Sequence, residues 1–593
     1  MRRSKALPAV ALFSSAALVL SACGGGGGGG DTEISNDVAA MAVAKGENES
    51  DASYTAPKVE DMGEVVVSTD KPYTTYNNAT ADGNNSYNTF ALTLVQTGAY
   101  RLNGNEKVIL NKDVMESVEV TSENPQVVTW KIKPGLKWSD GDSWDCDEFY
   151  MAWLAQSGKA KKADGSSFFQ AAATNGHEQM DAKCEDATTF VGTFASPYPD
   201  YNGLFMNDVL PAHIGAQKAG VDDIKKITPS STAELEKLAD FWNTGWNGFD
   251  AAIMPGSGPY KITGYEQNQS VTLERNPEWA GNPGGPSKIT LKAIPDPVAQ
   301  AQALENGEVS VSFFAQPDAN AADRLKGLEG QGVTFAASPG LSFEHFDLNF
   351  KNPVLADDAV RKAFFQCVNR QDIVDKLISN VQADAKPLGS LLFFPKDEGY
   401  TDVYSDKSTG SADEAKKTLE GAGYTQGADG IFEKGGQKVT FRISHTDIPR
   451  RKQTVELVQG HCKAAGIDIQ DDTDPNFLDE RVSNGDYDVA LFAWSGGPWK
   501  SEKKSIYSTT GGQNWQGVSV PAADEALQSA VTQATQEKAT PFYQTADKAL
   551  ADEYASLPLF QAPKMWSFKG VDRVYNQGYV GALWNANEWQ TTS

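Results

Sequence analysis

Side chains able to do covalent or metal chemistry are few and scattered in this sequence. Its 593 residues include five Cys and five His, and no Cys-x-x-Cys or His-x-x-x-His spacing gathers them into a metal framework. His461 adjoins Cys462 without further ligands, so neither a metal nor a cofactor is expected. No Gly-x-Ser-x-Gly elbow presents a nucleophilic serine, and no His-Glu-x-x-His pairs zinc ligands with a general base. Carboxylates are plentiful, with 78 Asp and Glu, and a pair of them could hydrolyse a glycoside as acid and base. An exported hydrolase is therefore one reading, but no nucleophile motif accompanies the acids. Gly256-Ser257-Gly258-Pro259-Tyr260 is a tight turn before strands and not a phosphate loop. It lacks both the Gly-Lys-Ser/Thr ending of a P-loop and the third Gly of a dinucleotide fingerprint.

The first residues set the compartment. Arg2, Arg3 and Lys5, an apolar run from Ala6 to Leu20 and the ending Leu20-Ser21-Ala22-Cys23 form a signal-peptide layout. The ending resembles the lipobox of bacterial lipoproteins. That resemblance implies cleavage before Cys23, lipid chains on that residue, and anchorage to the outer face of the cell membrane. The alternative is a plain secretory leader with an incidental Cys. Gly24 to Gly30 then open a polar, acidic stretch to about residue 61 that reads as a flexible tether, with a reach of roughly 35 Å. No later stretch is apolar for the ~18 residues that a membrane span needs.

Export also makes disulfides persistent. Setting Cys23 aside leaves Cys146, Cys184, Cys367 and Cys462, which could pair in three ways. Val360, Phe364 and Cys367 share one helical stripe, and Val455, Val458 and Cys462 another. The expected bridges are therefore Cys367–Cys462 and Cys146–Cys184, with four buried free thiols as the alternative.

The elements that position these residues alternate. Glu64–Thr69 reads as a strand, Tyr76–Ser86 as a loop turning at Asp82-Gly83-Asn84, and Val127–Lys133 as a strand stopped by Pro134-Gly135. Phe149, Trp153 and Leu154 share a helical face, and residues 209–250 read as helices and loops of an insertion. Strands are predicted at Lys261–Gln267, Ser270–Glu274, Ile289–Ile294, Val309–Phe314, Ile467–Gln470 and Tyr487–Trp494, with a hairpin turn at Lys434–Gln437. Helices are predicted at Pro297–Gly307, over Asp357–Ile378 as one or a pair, from Ser411 to near Gly421, and at Arg451–Ala465. At about 150 residues per domain the length suggests three or four units of mixed α/β structure. The formal charge of −26 becomes more negative still once Arg2, Arg3 and Lys5 leave with the leader. Such a surface repels nucleic acid and keeps an exported protein soluble; long-range steering of cationic ligands is the second reading.

Several short motifs occur in an order that resembles one family. They are Trp130-Lys131-Ile132-Lys133-Pro134-Gly135 with Trp138-Ser139-Asp140-Gly141, Gly256–Tyr260, Leu273-Glu274-Arg275-Asn276-Pro277-Glu278-Trp279, Ala303-Leu304 with Gly307-Glu308-Val309, and Val360-Arg361-Lys362-Ala363 with Asn369-Arg370. The family is the extracytoplasmic solute-binding proteins of ABC importers, in its large peptide, dipeptide and nickel branch. The resemblance implies an α/β, bilobed periplasmic-binding-protein fold of class II, with two mixed-sheet lobes, an accessory domain and a hinge. Its limits would be about 62–92, 255–339 and 566–593 for the first lobe, 93–254 for the accessory domain, and 340–565 for the second lobe. It further implies a monomeric receptor without enzymatic activity that captures an oligopeptide or other small solute and delivers it to an ABC permease with its ATPase subunits. A siderophore, an oligosaccharide, haem or a nickel complex are the alternative cargoes, and a cell-wall or adhesion lipoprotein the alternative without transport.

The same resemblance places four segments at the cleft: Asp82-Gly83-Asn84, Phe313 and Phe314, Glu344 and His345, and Trp494-Ser495-Gly496-Gly497. Trp499 and Trp515 could wall side-chain pockets. Phe313 and Phe314 alternate on a strand, so at most one should face a ligand. One departure matters. Oligopeptide-binding members commonly carry an Asp three residues after the equivalent of Trp494, where it pairs with the peptide's α-ammonium. Here that position is Gly497, so either an acid elsewhere, Asp82 or Glu344, substitutes for it or the ligand has no free amino terminus.

Overall fold

In the computed structural model, which describes residues 53–592 apart from 105, 207, 315 and 316, a ten-stranded mixed sheet runs through the molecule. Its strands are β1 (Gly63–Thr69), β2 (Tyr260–Glu266), β3 (Ser270–Arg275), β4 (Pro286–Ala293), β5 (Val311–Phe314), β6 (Val333–Leu348), β7 (Thr440–His445), β8 (Asp468–Thr473), β9 (Val489–Ser495) and β10 (Ser556–Lys569). Across the sheet they follow the order β8-β7-β9-β6-β10-β5-β1-β4-β3-β2. The leader, Cys23 and the glycine run lie outside the described residues.

Two hydrophobic cores sit on this one sheet. Val65 and Val67 of β1, Trp566 and Phe568 of β10, and Trp130, Trp138, Trp242 and Trp589 belong to the first. Phe343 and Phe346 of β6, Leu557 and Phe560 of β10, and Phe364, Phe441 and Leu550 belong to the second. The β6–β10 pair joins the lobes: residues 333–339 pair with 569–563, the register shifts, and pairing resumes from Phe343 opposite Gln561. At the shift Gly340 lies so close to the neighbouring strand that a Cβ there would stand 2.6 Å from the Ala562 carbonyl oxygen, which only glycine tolerates.

The four-stranded antiparallel sheet formed by residues 115–123, 126–132, 189–194 and 180–186 shares the first core, as does the helix Cys146–Gln156. Part of the stretch read in sequence as a tether is structured. Ser53 and Tyr54 pair with Leu110 and Asn111, because Tyr54 and Ala56 are apolar residues in a polar stretch and both bury. Two disulfides form, Cys146–Cys184 and Cys367–Cys462, with Cα atoms 5.9 and 5.0 Å apart. The second ties the helix Asp358–Cys367 to the helix Pro449–Ala464. Among the described residues no helix is long and apolar enough to cross a membrane.

The motifs that look functional in sequence turn out to interlock. Ser257 and Gly258 donate their backbone N–H groups to the Val95 carbonyl, closing the C-terminal end of the helix Ser86–Val95. Asn276 holds the same turn by donating to the carbonyls of Gly256 and Gly258, both at 3.0 Å. Ser139 closes it from the other side, accepting from Gly256 N–H at 2.9 Å. Arg361 and Arg370 are likewise buried and donate to backbone carbonyls, those of Leu355 and Pro558 among them. These residues fix the frame, and in particular the helix whose N-terminal end faces the second lobe.

Candidate functional site

Two neighbouring cavities lie between the segments that carry Asn84 and Tyr579 and those that carry Ser495 and Trp499. The first, about 240 Å³, is lined by Asn84, Phe313, Ser495, Gly496, Lys564 and Tyr579 among others. The second, about 270 Å³, is lined by Gln156, His177, Asp208, Trp499, Glu502 and Tyr579 among others. Asn78, Asn84 and Tyr579 border both.

The first-lobe wall is a loop stiffened by its own amides. Asn85 caps the helix Ser86–Val95, accepting from the N–H groups of Tyr87 and Asn88 at 3.0 Å each. Asn78 accepts from Asn85 N–H and donates to Thr89 Oγ1, both at 3.0 Å. Gly83 packs so tightly that a Cβ would stand 2.3 Å from the Asn77 carbonyl oxygen. A second turn is built by the buried Gln577, whose Oε1 accepts from Tyr579 N–H at 2.8 Å and Val580 N–H at 2.6 Å. That turn presents Tyr579, a large aromatic left 43% exposed. Trp499, from the second lobe, meets the Tyr579 ring edge-on at 5.6 Å and donates Nε1–H to Asn202 Oδ1 at 3.1 Å.

The residues singled out in sequence separate into distinct groups. Asn84, Phe313, Ser495 and Gly496 line the first cavity, and Ser495 shares a 3.0 Å hydrogen bond with Ser342. Phe314, alternating with Phe313, points into a third core cluster with Leu304 and Leu325. Asp82 is exposed and Gly83 buried, and neither borders the cavities. Trp494 and Trp515 pack against each other at 5.2 Å, their rings tilted by 31°, beside Phe492 and line neither cavity.

Glu344 and His345 need correction. Both are fully buried in β6, which beyond Phe343 is covered on both faces. The Glu344 carboxylate accepts from Arg450 at 2.7 Å and Arg451 at 3.0 Å. Burial alone would raise its pKa, but the two guanidinium groups outweigh that and hold it below the usual value. Its charge is spent inside the lobe, so it has none to offer a ligand. His345 packs between Phe343 and Phe492, with ring centroids 5.4 and 4.5 Å away.

Gly497 has a structural counterpart. A Cβ there would lie 3.3 Å from Trp499 and 3.6 Å from Tyr579, so the aromatic pair occupies the space into which an acid at this position would project. Acidity lies elsewhere in the cleft. Burial raises the pKa of Asp208, and Gln156 Nε2 donates to its Oδ2 at 2.9 Å. His177, buried in the same cavity, is driven down to about 3 and is neutral. Burial also lowers the pKa of Lys564, in the first cavity, against the field of Asp70.

Sequence reasoning missed Tyr579, Asp208 and Lys564. Tyr579 carried one signal, an aromatic between glycines with no periodic partner; Asp208 and Lys564 carried none.

Comparison with known proteins follows from this geometry. Residues 110–517 match the family described as bacterial extracellular solute-binding proteins, family 5. The oligopeptide-binding protein OppA of Mycobacterium tuberculosis is 27% identical over 493 residues, covering 81% of this chain and 77% of its own. An uncharacterized lipoprotein of the same species is 25% identical, covering 87% of this chain and 91% of its own. Among solved structures, a periplasmic EDTA-binding protein, EppA, superposes with a TM-score of 0.80 at 24% identity, covering 92% of this chain and 99% of its own.

Proposed function

The chain belongs to family 5 of the bacterial extracellular solute-binding proteins, and from that premise we propose that the solute it captures is an oligopeptide, held between the lobes. The observation that carries the reading is the pair of neighbouring cavities that share Asn78, Asn84 and Tyr579 in their walls. Side-chain amides, hydroxyls and the exposed edge of Ser342 and Ser495 offer hydrogen bonds to peptide main chain whatever its sequence. The Trp499–Tyr579 pair and Phe313 offer apolar surface to varied side chains. The 27% identity to an oligopeptide-binding protein over most of the chain supports the same cargo.

In this reading Cys23 carries the lipid anchor, the chain acts as a monomer, and closed receptor docks on an ABC permease. The lobes open about the register shift of β6 and β10, near residues 339–343 and 561–563. The first lobe is built from about 62–92, 255–339 and 566–593, the accessory domain from 93–254 and the second lobe from 340–565.

Native mass spectrometry of the mature chain, followed by denaturation to release what co-purifies, tests the cargo. Mixed masses resolving into peptides of a few residues are expected. A single non-peptide mass, or binding only when siderophores, sugars or metal chelates are offered, overturns the peptide reading while leaving the receptor role intact.

A further inference from the structure

A hairpin tip reaches the back of the turn that presents Tyr579. Asn103 N–H donates to the Lys107 carbonyl at 3.0 Å, Glu106 N–H to the Asn103 carbonyl at 2.9 Å, and Lys107 N–H to Asn103 Oδ1 at 3.0 Å. Within this tip Glu106 takes a φ of +66°, a left-handed conformation that glycine or asparagine adopts more readily. Its side chain is nevertheless buried. Gly578 donates its backbone N–H to the Glu106 carboxyl, and the approach is so close that a Cβ on Gly578 would stand 2.3 Å from Glu106 Oε1. Gly578 and Tyr579 both border the first cavity. The carboxyl therefore backs the wall from which Tyr579 projects.

Glu106 also borders a third cavity, of about 360 Å³, together with Lys396, Asp397 and Lys500. Lys500 is committed to Asp397, 2.6 Å away. Taking the Glu106 charge out of water outweighs the fields of Lys396 and Lys500, which Asp397 opposes, so that its pKa rises to about 7. Lys107 of the tip, Glu398, Glu537 and the Tyr543 phenol line the same cavity. The turn contributes the Tyr579 phenol, which burial pushes up to about 12 and keeps neutral. Burial raises the pKa of Tyr543 as well, and Leu341, which packs on Gly578, carries no charge.

We infer that Glu106 is a positioning residue of the cleft: entering in its neutral form, it holds the Gly578–Tyr579 turn against the solute site, and loss of its proton releases the turn. A carboxylate gains hydration by leaving, and in water its pKa returns to an ordinary 4.5. The inserted form thus binds the proton more tightly than the released one. Insertion is favoured fully below pH 4.5, and that advantage is lost as pH rises through 7. Tyr579 is firmly placed at mildly acidic pH and loosens above neutrality, and solute affinity follows it. This holds for whatever solute the cleft takes.

The test is hydrogen exchange of the mature, unliganded chain at pH 5.5 and 8.5, read by mass spectrometry over residues 576–581 and divided by the intrinsic exchange rate at each pH. Protection is expected to fall by roughly tenfold or more at the higher pH. Glu106→Gln, neutral at both, keeps the acidic-side protection throughout, and Glu106→Ala, which removes the contact, loses it throughout. Lys396→Met leaves protection at pH 5.5 unchanged and deepens the loss at pH 8.5, because the carboxylate then has one cation fewer. Equal protection of the parent at both pH values overturns the inference, as does a loss in Glu106→Gln as large as the parent's. Circular dichroism checks each fold; should Glu106→Gln not fold, a pH response in Lys396→Met identical to the parent's overturns the inference. Solute binding takes no part in the measurement, so its failure leaves the proposed cargo standing.

Discussion

Asp200, in the segment 93–254, grips Ser501 on the far side of the cleft: one carboxylate oxygen accepts both the Ser501 backbone N–H at 2.8 Å and its hydroxyl at 2.6 Å. The other oxygen accepts from Gln536 Nε2 at 2.7 Å. Gln126 donates to the Ala534 carbonyl at 3.0 Å and Glu123 pairs with Lys538 at 2.6 Å beside it. The segment 93–254 is therefore latched to residues 501–538 across the cleft.

Removing the latch should favour the open form. Asp200→Ala strips three donors of their acceptor at a buried site, a loss of about 1–3 kcal/mol from closure. Ligand affinity should fall by tenfold or more, and small-angle scattering of the unliganded variant should show a larger radius of gyration. An unchanged scattering curve and affinity would show that the latch does not govern closure.

Restoring the acid at position 497 should weaken binding. Gly497→Asp forces its Cβ against Trp499, and overpacking of this kind costs about 1–3 kcal/mol. Titration with a free-ended peptide library should give lower affinity than the parent chain. Tighter binding would mean that the aromatic pair yields and that the ammonium site belongs at 497.

The Cys367–Cys462 bridge closes a long loop, with 95 residues of sequence separation. Replacing both residues by Ser should cost about 2–5 kcal/mol. Scanning calorimetry should show a lower Tm for the variant under oxidising conditions, and the difference should vanish when both proteins are fully reduced.

Glu106 gives a pH dependence of defined sign. Burial raises its pKa from an ordinary 4.5 to about 7, with Lys396 and Lys500 opposing that rise and Asp397 adding to it. The folded state thus holds a proton that the unfolded chain releases at lower pH. The group's stabilising contribution is full below pH 4.5 and is lost as pH rises through 7. Urea unfolding between pH 5 and 8 should show stability falling with pH by up to ~1.4 kcal/mol per unit from this group. Glu106→Gln should flatten that slope.

How much of this was legible in the sequence depends on what each residue answers to. The Val65-Val66-Val67 strand, the helix stripes that carry Cys367 and Cys462, and the alternation separating Phe313 from Phe314 obey local periodicities, so they read directly. β6 and β10 did not, because each serves one core and then the other. Over Val333–Leu348 the buried face changes near Leu341, and no single period survives. His345 was misplaced for the same reason: past the crossing, β6 is buried on both sides. The motifs around Ser139, Gly256 and Asn276 were visible but speak of framework. Asp208 and Lys564 are brought to the cleft by tertiary structure alone, from segments with no distinguishing pattern.

The two-core arrangement also dictates an order of assembly. The first core draws on Val65 and Trp130 early in the chain and on Trp566, Trp584 and Trp589 at its end. The N-terminal half emerges from the ribosome and crosses the membrane without the residues that complete its interior. The second core draws only on residues between Leu341 and Phe560. The lobe that is translated first is thus the last to have all the residues of its core available.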